Sequence, residues 1–293
     1  MTTAILKSIA YFDIFNHPLH INELNNLCQE NNNTISSSLN TLIQDKTLFQ
    51  YNDYYSLQTN VESLVNERES KTAAAQKYLT KLPRYAKIIK AFPYVKGIGV
   101  SGSLSKNVMH NDGDIDYFII TSPNRLWICR TFLIAFKKIV LFNSKKYFCV
   151  NYFVDTNNLE IRDKNMFTAI ETSFLLPVFN HELIHEFKTK NNWSKTFINQ
   201  FEHPMVSNDI RNRTGLKNIV QWMFKGQFGD KLDLYLMKFT YRKWQKKFKD
   251  FDMTKFELTM RTNRGVSKHH PRDFQNRVLK SYTEKLIELG INE

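Results

Sequence analysis

Two short patterns hold the residues in this chain best placed to do chemistry. Gly102-Ser103 closes an apolar stretch, Lys96 to Ser101, and Asp114-Ile115-Asp116 opens another that runs to Thr121, with ten residues between Ser103 and Asp114. Alternate side chains of an extended segment share a face, so Asp114 and Asp116 project together while Ile115 and Tyr117 turn into the packing. Close carboxylates repel unless a cation lies between them, and hard oxygen ligands of this kind suit Mg²⁺ or Mn²⁺. Gly102 lets the backbone approach a ligand closely, and the amides and hydroxyl of Ser103 at a helix start can hold a phosphate. A phosphate cradle beside a divalent-cation site is what nucleotide chemistry needs. Asp-x-Asp alone is a common acidic turn at a strand start. Its combination with a Gly-Ser turn and two apolar strands gives the pattern its weight.

The elements that must position these residues are legible around them. Lys96 to Ser101, Asp114 to Thr121 and Tyr147 to Val154 read as strands, Leu126 to Phe142 as a helix, and Leu159 to Arg162 as a short further strand. Glu171 to Phe179, Trp193 to Phe201, Leu216 to Phe224, Lys231 to Phe248 and Pro271 to Leu289 read as helices. Before the site, Ile5, Ile9, Phe12 and Phe15 recur at helical spacing until Asn16-His17-Pro18 stops them. Two more amphipathic helices follow, Ile21 to Cys28 and Thr34 to Gln44. Leu48 to Tyr51 and Tyr54 to Leu57 then form a hairpin across Asn52-Asp53. Three helices and a β-wing describe a winged helix. Residues 61–91 form one long helix or two broken near Pro83. The expected architecture is α+β. It has a winged-helix-like module over 1–60, a linker helix over 61–94, a small mixed-sheet palm over 95–180 and a helical C-terminal domain over 181–293.

Charge is unevenly spread. The whole chain of 293 residues carries +13, yet residues 1–70 hold 3 Lys/Arg against 8 Asp/Glu. The stretches 71–180 and 181–293 each carry +9. A DNA-reading helix needs Lys and Arg for phosphate, and Thr34 to Gln44 has neither, so duplex DNA is not the expected partner of the winged helix. Protein contact or a lid role fits it better. No window of eighteen uncharged apolar residues occurs, which argues against a membrane span. The N-terminus lacks a signal-peptide pattern. Three cysteines without a CxxC suit a reducing, cytoplasmic setting.

The Gly-Ser, spacer and Asp-apolar-Asp-apolar run over residues 98–120 resembles the signature of the nucleotidyltransferase superfamily built on the DNA polymerase β palm. Outer stretches look similar to a bacterial group of that superfamily with a winged-helix-like segment before the palm. These are Tyr11-Phe12-Asp13-Ile14-Phe15 with Pro18-Leu19, Cys149-Val150-Asn151-Tyr152-Phe153, Asn191-Asn192-Trp193 and Lys268-His269-His270-Pro271. The resemblance implies transfer of a nucleoside monophosphate from an NTP, ATP foremost, to an acceptor hydroxyl. Asp114 and Asp116 would ligate Mg²⁺ or Mn²⁺, and Gly102 and Ser103 would hold the triphosphate. The superfamily usually adds a third acid from a later strand. Here Asn151 stands in its place, with Asp155 and Glu160 as substitutes, so Asn151 or Glu160 is expected to complete the catalytic ring. An asparagine carries no charge and cannot act as a base. That departure opens the alternative of a non-catalytic nucleotide or RNA sensor with a degenerate site.

Lesser candidates have plainer readings beside them. Lys106 and His110 lie between the halves of the motif and could reach phosphate, but a solvated loop is the ordinary fate of such residues. Glu171 reads by default as a first-turn carboxylate on a helix dipole. Arg242 to Lys249 interleaves Lys and Arg with Trp244 and Phe248. It is either a nucleic-acid track or an amphipathic helix with those aromatics in the core, and the second is preferred. Arg264 and Lys268 flank Gly265 in what reads as a flexible loop fit for triphosphate or RNA. The basic 71–293 region favours RNA, tRNA included, as acceptor. His269 and His270 are adjacent and cannot share one helical metal face, so they are not read as ligands.

Overall fold

A computed structural model describes residues 2–28, 32–199, 201 and 215–291. The first stretch forms α1 (Thr2–Asp13), β1 (Leu19–His20), α2 (Ile21–Cys28), α3 (Asn32–Gln44), β2 (Phe49–Tyr51) and β3 (Tyr54–Ser56). Its strands pair antiparallel in the order β1-β3-β2. Asn52 takes the positive φ that the expected Asn-Asp hairpin turn demands. β1 was not expected: two residues after Pro18 are too few to show an alternating pattern. The stretch 61–91 is two helices, α4 (Val61–Leu79) and α5 (Leu82–Ala91). Pro83 sits in the first turn of α5, where a missing N–H leaves no helical bond unmade.

The remaining chain builds a mixed α+β body. It contains β4 (Val95–Ser101), β5 (Asp116–Thr121), α6 (Leu126–Ile139), β6 (Cys149–Asp155), α7 (Met166–Ser173), β7 (Leu176–Phe179) and α8 (His181–Lys190). There follow α9 (Gly215–Met223), α10 (Gly226–Lys247), α11 (Met253–Thr259), β8 (Thr262–Asn263), β9 (Val266–Lys268) and α12 (Phe274–Glu288). Six strands form one sheet in the order β7-β4-β5-β6-β9-β8. β5 and β6 run parallel across the α6 crossover, and every other pairing is antiparallel.

The sheet departs from the expected elements in three places. Leu159 to Arg162 is not a strand but an irregular loop. Its carboxyl-side backbone is held by a side chain instead: Asn191, fully buried, accepts from the Ile161 N–H at 2.7 Å and donates to the Leu159 carbonyl at 2.7 Å. Glu171 to Phe179 is not one helix. Asn165 caps α7 with a reciprocal box through Thr168, so the helix starts at Met166, and Leu176–Phe179 passes to the sheet edge. The supposed flexible loop around Gly265 is the tight turn of the β8–β9 hairpin, which pairs with β6. The helix expected over Trp193 to Phe201 is a short 3-10 turn, Asn192–Thr196, and residue 200 lies outside the described residues.

The two sheet faces bury different partners. Ile98, Val100, Tyr117, Ile119, Val150 and Phe153 pack with α4, α5, α6 and α10, where Trp244 is core and Tyr241 and Phe248 rest against it. Phe118, Ile120, Tyr152 and Val154 face Leu175 and α8. Gly99 makes room there: a Cβ would lie 2.9 Å from the Leu175 side chain and force it to shift. A third core joins the N-terminal module to α7 and α12 through residues such as Ile9, Phe12, Ile170 and Tyr282. Asp13, buried, accepts from Ser56 at 2.8 Å and from Lys285 at 2.6 Å, tying α1 to α12. Among the described residues, no helix is long and apolar enough to cross a membrane.

Candidate functional site

The two halves of the sequence pattern meet at one end of the sheet. Ser101 ends β4 directly opposite Asp116, which begins β5, and Cys149 begins β6 on the other side of Asp116. Gly102 turns the chain with φ +70°, and a Cβ there would stand 3.1 Å from Asp116 Oδ2. A glycine is therefore required both by the left-handed backbone and by the carboxylate behind it. The chain then makes a 3-10 turn over Leu104–Lys106, with Ser103 exposed at its start and the Ser105 hydroxyl donating to the Gly102 carbonyl at 2.8 Å.

Asp114 lies just before β5 in partly open backbone, and Asp116 is half-buried. Burial pushes the Asp116 carboxyl up to about 6, and the negative charges of Asp114 and Glu171 push the same way. Cys149 and Asn151 oppose that rise by hydrogen bonding to the carboxylate, Asn151 from 3.4 Å. Asn151 is the extra residue of a bulge: Tyr117 pairs with Val150 and Phe118 with Tyr152, leaving Asn151 unpaired and aimed at Asp116. Its amide also reaches Cys149 Sγ at 2.9 Å. The Cys149 thiol itself is raised by burial and by Asp116.

Glu171 joins the site although its sequence context read as a helix start. With α7 beginning at Met166, Glu171 falls in the last turn, facing β4. Its carboxylate accepts the Gly102 N–H at 2.9 Å and the Lys106 ammonium at 2.7 Å, and Lys106 also donates to the Gly102 carbonyl at 3.1 Å. Burial alone would raise this acid. The Lys106 charge and hydrogen bond, with the Gly102 N–H, outweigh it and hold the carboxyl below its ordinary value. A carboxylate thus rests on the amide and ammonium expected to receive phosphate. The Asn165 cap, readable as an Asn-x-x-Thr box before an apolar run, was the signal that would have placed Glu171 here. Cys149 was findable as the residue two before Asn151 on the same strand.

Other expected residues are elsewhere. Glu160 is exposed and paired with Lys164 at 2.8 Å, and the charges that act on it are Lys164 and Lys190 rather than the aspartates. It does not complete the ring. Asp155 pairs with Thr121 at the opposite end of the strands, about 20 Å along β6 from Cys149. Arg264 turns the hairpin at that same far end, where Gly265 meets Asp155, and sits 3.8 Å from Asp230. It is therefore not part of the phosphate cradle. His110 is exposed. Lys268 is buried near the site but committed, to Asp163 at 3.4 Å and Gln275 at 2.9 Å. Burial lowers its ammonium, against the pull of Asp163.

Beside Ser101 and Glu171, on the same face of the sheet, a partly open cavity of about 80 Å³ runs between the sheet, α7, α11 and the start of α12. Among the described residues no group of three or more His, Cys, Asp and Glu side chains stands ready to hold a metal ion. Two aspartates with an asparagine are nonetheless a workable partial shell for Mg²⁺, which keeps waters and takes substrate phosphates as its other ligands. Burial chiefly raises Asp116, and the neighbouring charges of Asp114 and Glu171, which add to the rise, are the local reason a cation would be welcome. No family model matches the chain, and no curated protein or solved structure matches it either.

Proposed function

We propose that this protein is a nucleotidyltransferase that moves a nucleoside monophosphate from an NTP, ATP foremost, to an acceptor hydroxyl, with Mg²⁺ or Mn²⁺ as cofactor. The observation that carries the reading is the abutment of the Gly102 turn on the Asp116 carboxylate, with Asp114 beside it. A bound divalent ion would neutralise triphosphate charge and stabilise the leaving pyrophosphate. The chain's own residues do the positioning. Asp114 and Asp116 fix the ion-binding end of the triphosphate, and the Gly102 and Ser103 amides take its oxygens. Lys106, once released from Glu171, follows the charge that develops as pyrophosphate departs. The three-helix, three-stranded N-terminal module is a winged helix in this reading, the six-stranded sheet is the palm, and the setting is cytoplasmic. RNA, tRNA included, is one acceptor that the basic surface supports.

Incubation with α-labelled NTPs, Mg²⁺ or Mn²⁺, and separate RNA, protein and low-mass acceptor pools tests this. Wild type transfers label, and Asp114→Ala/Asp116→Ala transfers at least about a thousand-fold less while keeping its circular dichroism. Label transfer that survives the double substitution overturns the reading. The second reading, a nucleotide or RNA sensor without turnover, is favoured by Asn151 in the place of an acid. It predicts nucleotide binding that the double variant loses, with no pyrophosphate released by wild type.

A further inference from the structure

The cavity beside the site has one feature that a mere packing defect lacks. Its wall is mostly apolar: Phe118, Tyr152, Phe167, Leu175, Phe187 and Phe274. The polar groups on it are mostly spent inside the protein. Glu171 holds Gly102 and Lys106, Lys268 holds Asp163 and Gln275, and the Thr168 hydroxyl bonds the turn before α7. His270 is different. Its ring stands edge-on to Tyr152, its Nε2 is buried, and that atom has no hydrogen-bond partner. Burial, reinforced by the Lys268 charge, holds the imidazole down at about 4, so it is neutral at pH 7. A neutral, desolvated ring nitrogen sealed just behind an apolar wall is costly unless something completes it.

From this juxtaposition we infer that the cavity is the acceptor subsite, and that the acceptor is a small alcohol or phenol. It buries a compact apolar group against Phe118 and Tyr152 and, by turning the His270 ring so that the sealed Nε2 opens to the cavity, shares one hydrogen bond with that nitrogen. This rests on the nucleotidyl-transfer reading for the word acceptor, but the site itself does not. The location fits, because Ser101 on the cavity wall pairs directly with Asp116. Size fits too: about 80 Å³ holds roughly five to eight water-sized groups, with the remainder of a ligand reaching out through the open side. A nucleobase fits poorly, since its rim of donors and acceptors would face mostly carbon and go unpaired. The same argument counts against an RNA end lodging here.

The test uses ¹⁹F NMR titration of the full chain with 4-fluorophenol and with fluorobenzene. Wild type is expected to bind the phenol about five-fold more tightly than fluorobenzene, the worth of one buried hydrogen bond. His270→Leu is expected to keep fluorobenzene and lose the preference. Leu258→Trp, which adds bulk from half-exposed α11 onto the cavity wall, is expected to exclude both probes. It serves equally if His270→Leu does not fold. Absence of binding, equal affinity for both probes in wild type, a preference that survives His270→Leu, or binding that survives Leu258→Trp overturns the inference. Turnover is read separately. Probe binding without label transfer leaves the subsite standing and defeats the catalytic reading. Label transfer to RNA by a protein that binds neither probe does the reverse.

Discussion

The two ends of the six-stranded sheet treat their carboxylates in opposite ways. At the far end, Asp155 accepts from the Asn157 N–H at 3.0 Å and the Asn158 amide at 2.7 Å, and Asp230 takes Arg125 at 2.5 Å with Arg264 beyond. These charges are paired or hydrogen-bonded, and their residues close turns and seat helices; Asp233, buried beside them, has one oxygen on the Ile128 N–H and the other without a partner. At the near end, the charges of Asp114 and Glu171 both act on Asp116, the Lys106 ammonium is given to Glu171, and Asp116 is left with a thiol and an amide. Both ends are built from the same strands, so the imbalance is not forced by topology. It teaches where to look for function: a lone strained acid such as Asp233 can serve the fold, whereas several acids gathered beside a glycine turn are a place for a cation to bind.

The largest effect on the fold should come from the satisfied kind of acid. Asp163 receives Arg261 at 2.7 Å and Lys268 at 3.4 Å, with all three side chains nearly buried. Asp163→Ala leaves two buried cations uncompensated and is expected to cost about 3–5 kcal/mol in urea unfolding, whether or not Mg²⁺ and ATP are present. A loss under 1 kcal/mol would mean that a satisfied acid matters no more to the fold than an open one. Gly102→Ala comes next. Its positive φ and the 3.1 Å approach to Asp116 Oδ2 predict a loss of about 1–2 kcal/mol together with weakened ATP binding. Unchanged nucleotide affinity would remove Gly102 from the cradle.

The smallest effect is the most discriminating. Asp116 and Asp233 are both pushed up to about 6, chiefly by burial, but Asp233 is structural and accepts the Ile128 N–H of α6 at 2.9 Å. The folded state keeps these two protons after the unfolded chain has released its own, so metal-free stability falls as pH rises from about 4 to about 6, then levels. Asp116 is half-exposed, so its share is about 1 kcal/mol. Mg²⁺ with ATP should abolish the Asp116 share and leave that of Asp233. A pH slope insensitive to Mg²⁺ and ATP would place both aspartates among the structural acids.

Legibility in the sequence followed the range of the interactions. Elements built by local periodicity or capping were readable: α1, α2, α3, the Asn52 hairpin, and β4, β5 and β6 around the Gly-Ser and Asp-Ile-Asp pattern. The errors lie where distant partners decide. Leu159 to Arg162 has the apolar alternation of a strand, but Asn191 holds its backbone from 30 residues away. β8 and β9 are too short to signal by pattern and exist because β6 offers them an edge. Leu176–Phe179 read as helix because four residues cannot separate the two periods. In the site, Asp114, Asp116, Gly102 and Lys106 were placed together by spacing alone. Glu171 arrives from another element and His270 from beyond β9, so neither could be assigned from the motif.

The β6–β9 pairing also sets a timetable. Tyr152 bonds across to Lys268, and Asp13 to Lys285, so the sheet is incomplete until β9 has been made and the core of the N-terminal module until α12 has. At ordinary synthesis rates β6 waits on the order of ten seconds with a bare, apolar edge. A nascent chain in that interval is a substrate for chaperones or for its own neighbours. The groups that surround Asp116, by contrast, are all made before the hairpin, since Asp114, Cys149, Asn151 and Glu171 precede it in the chain.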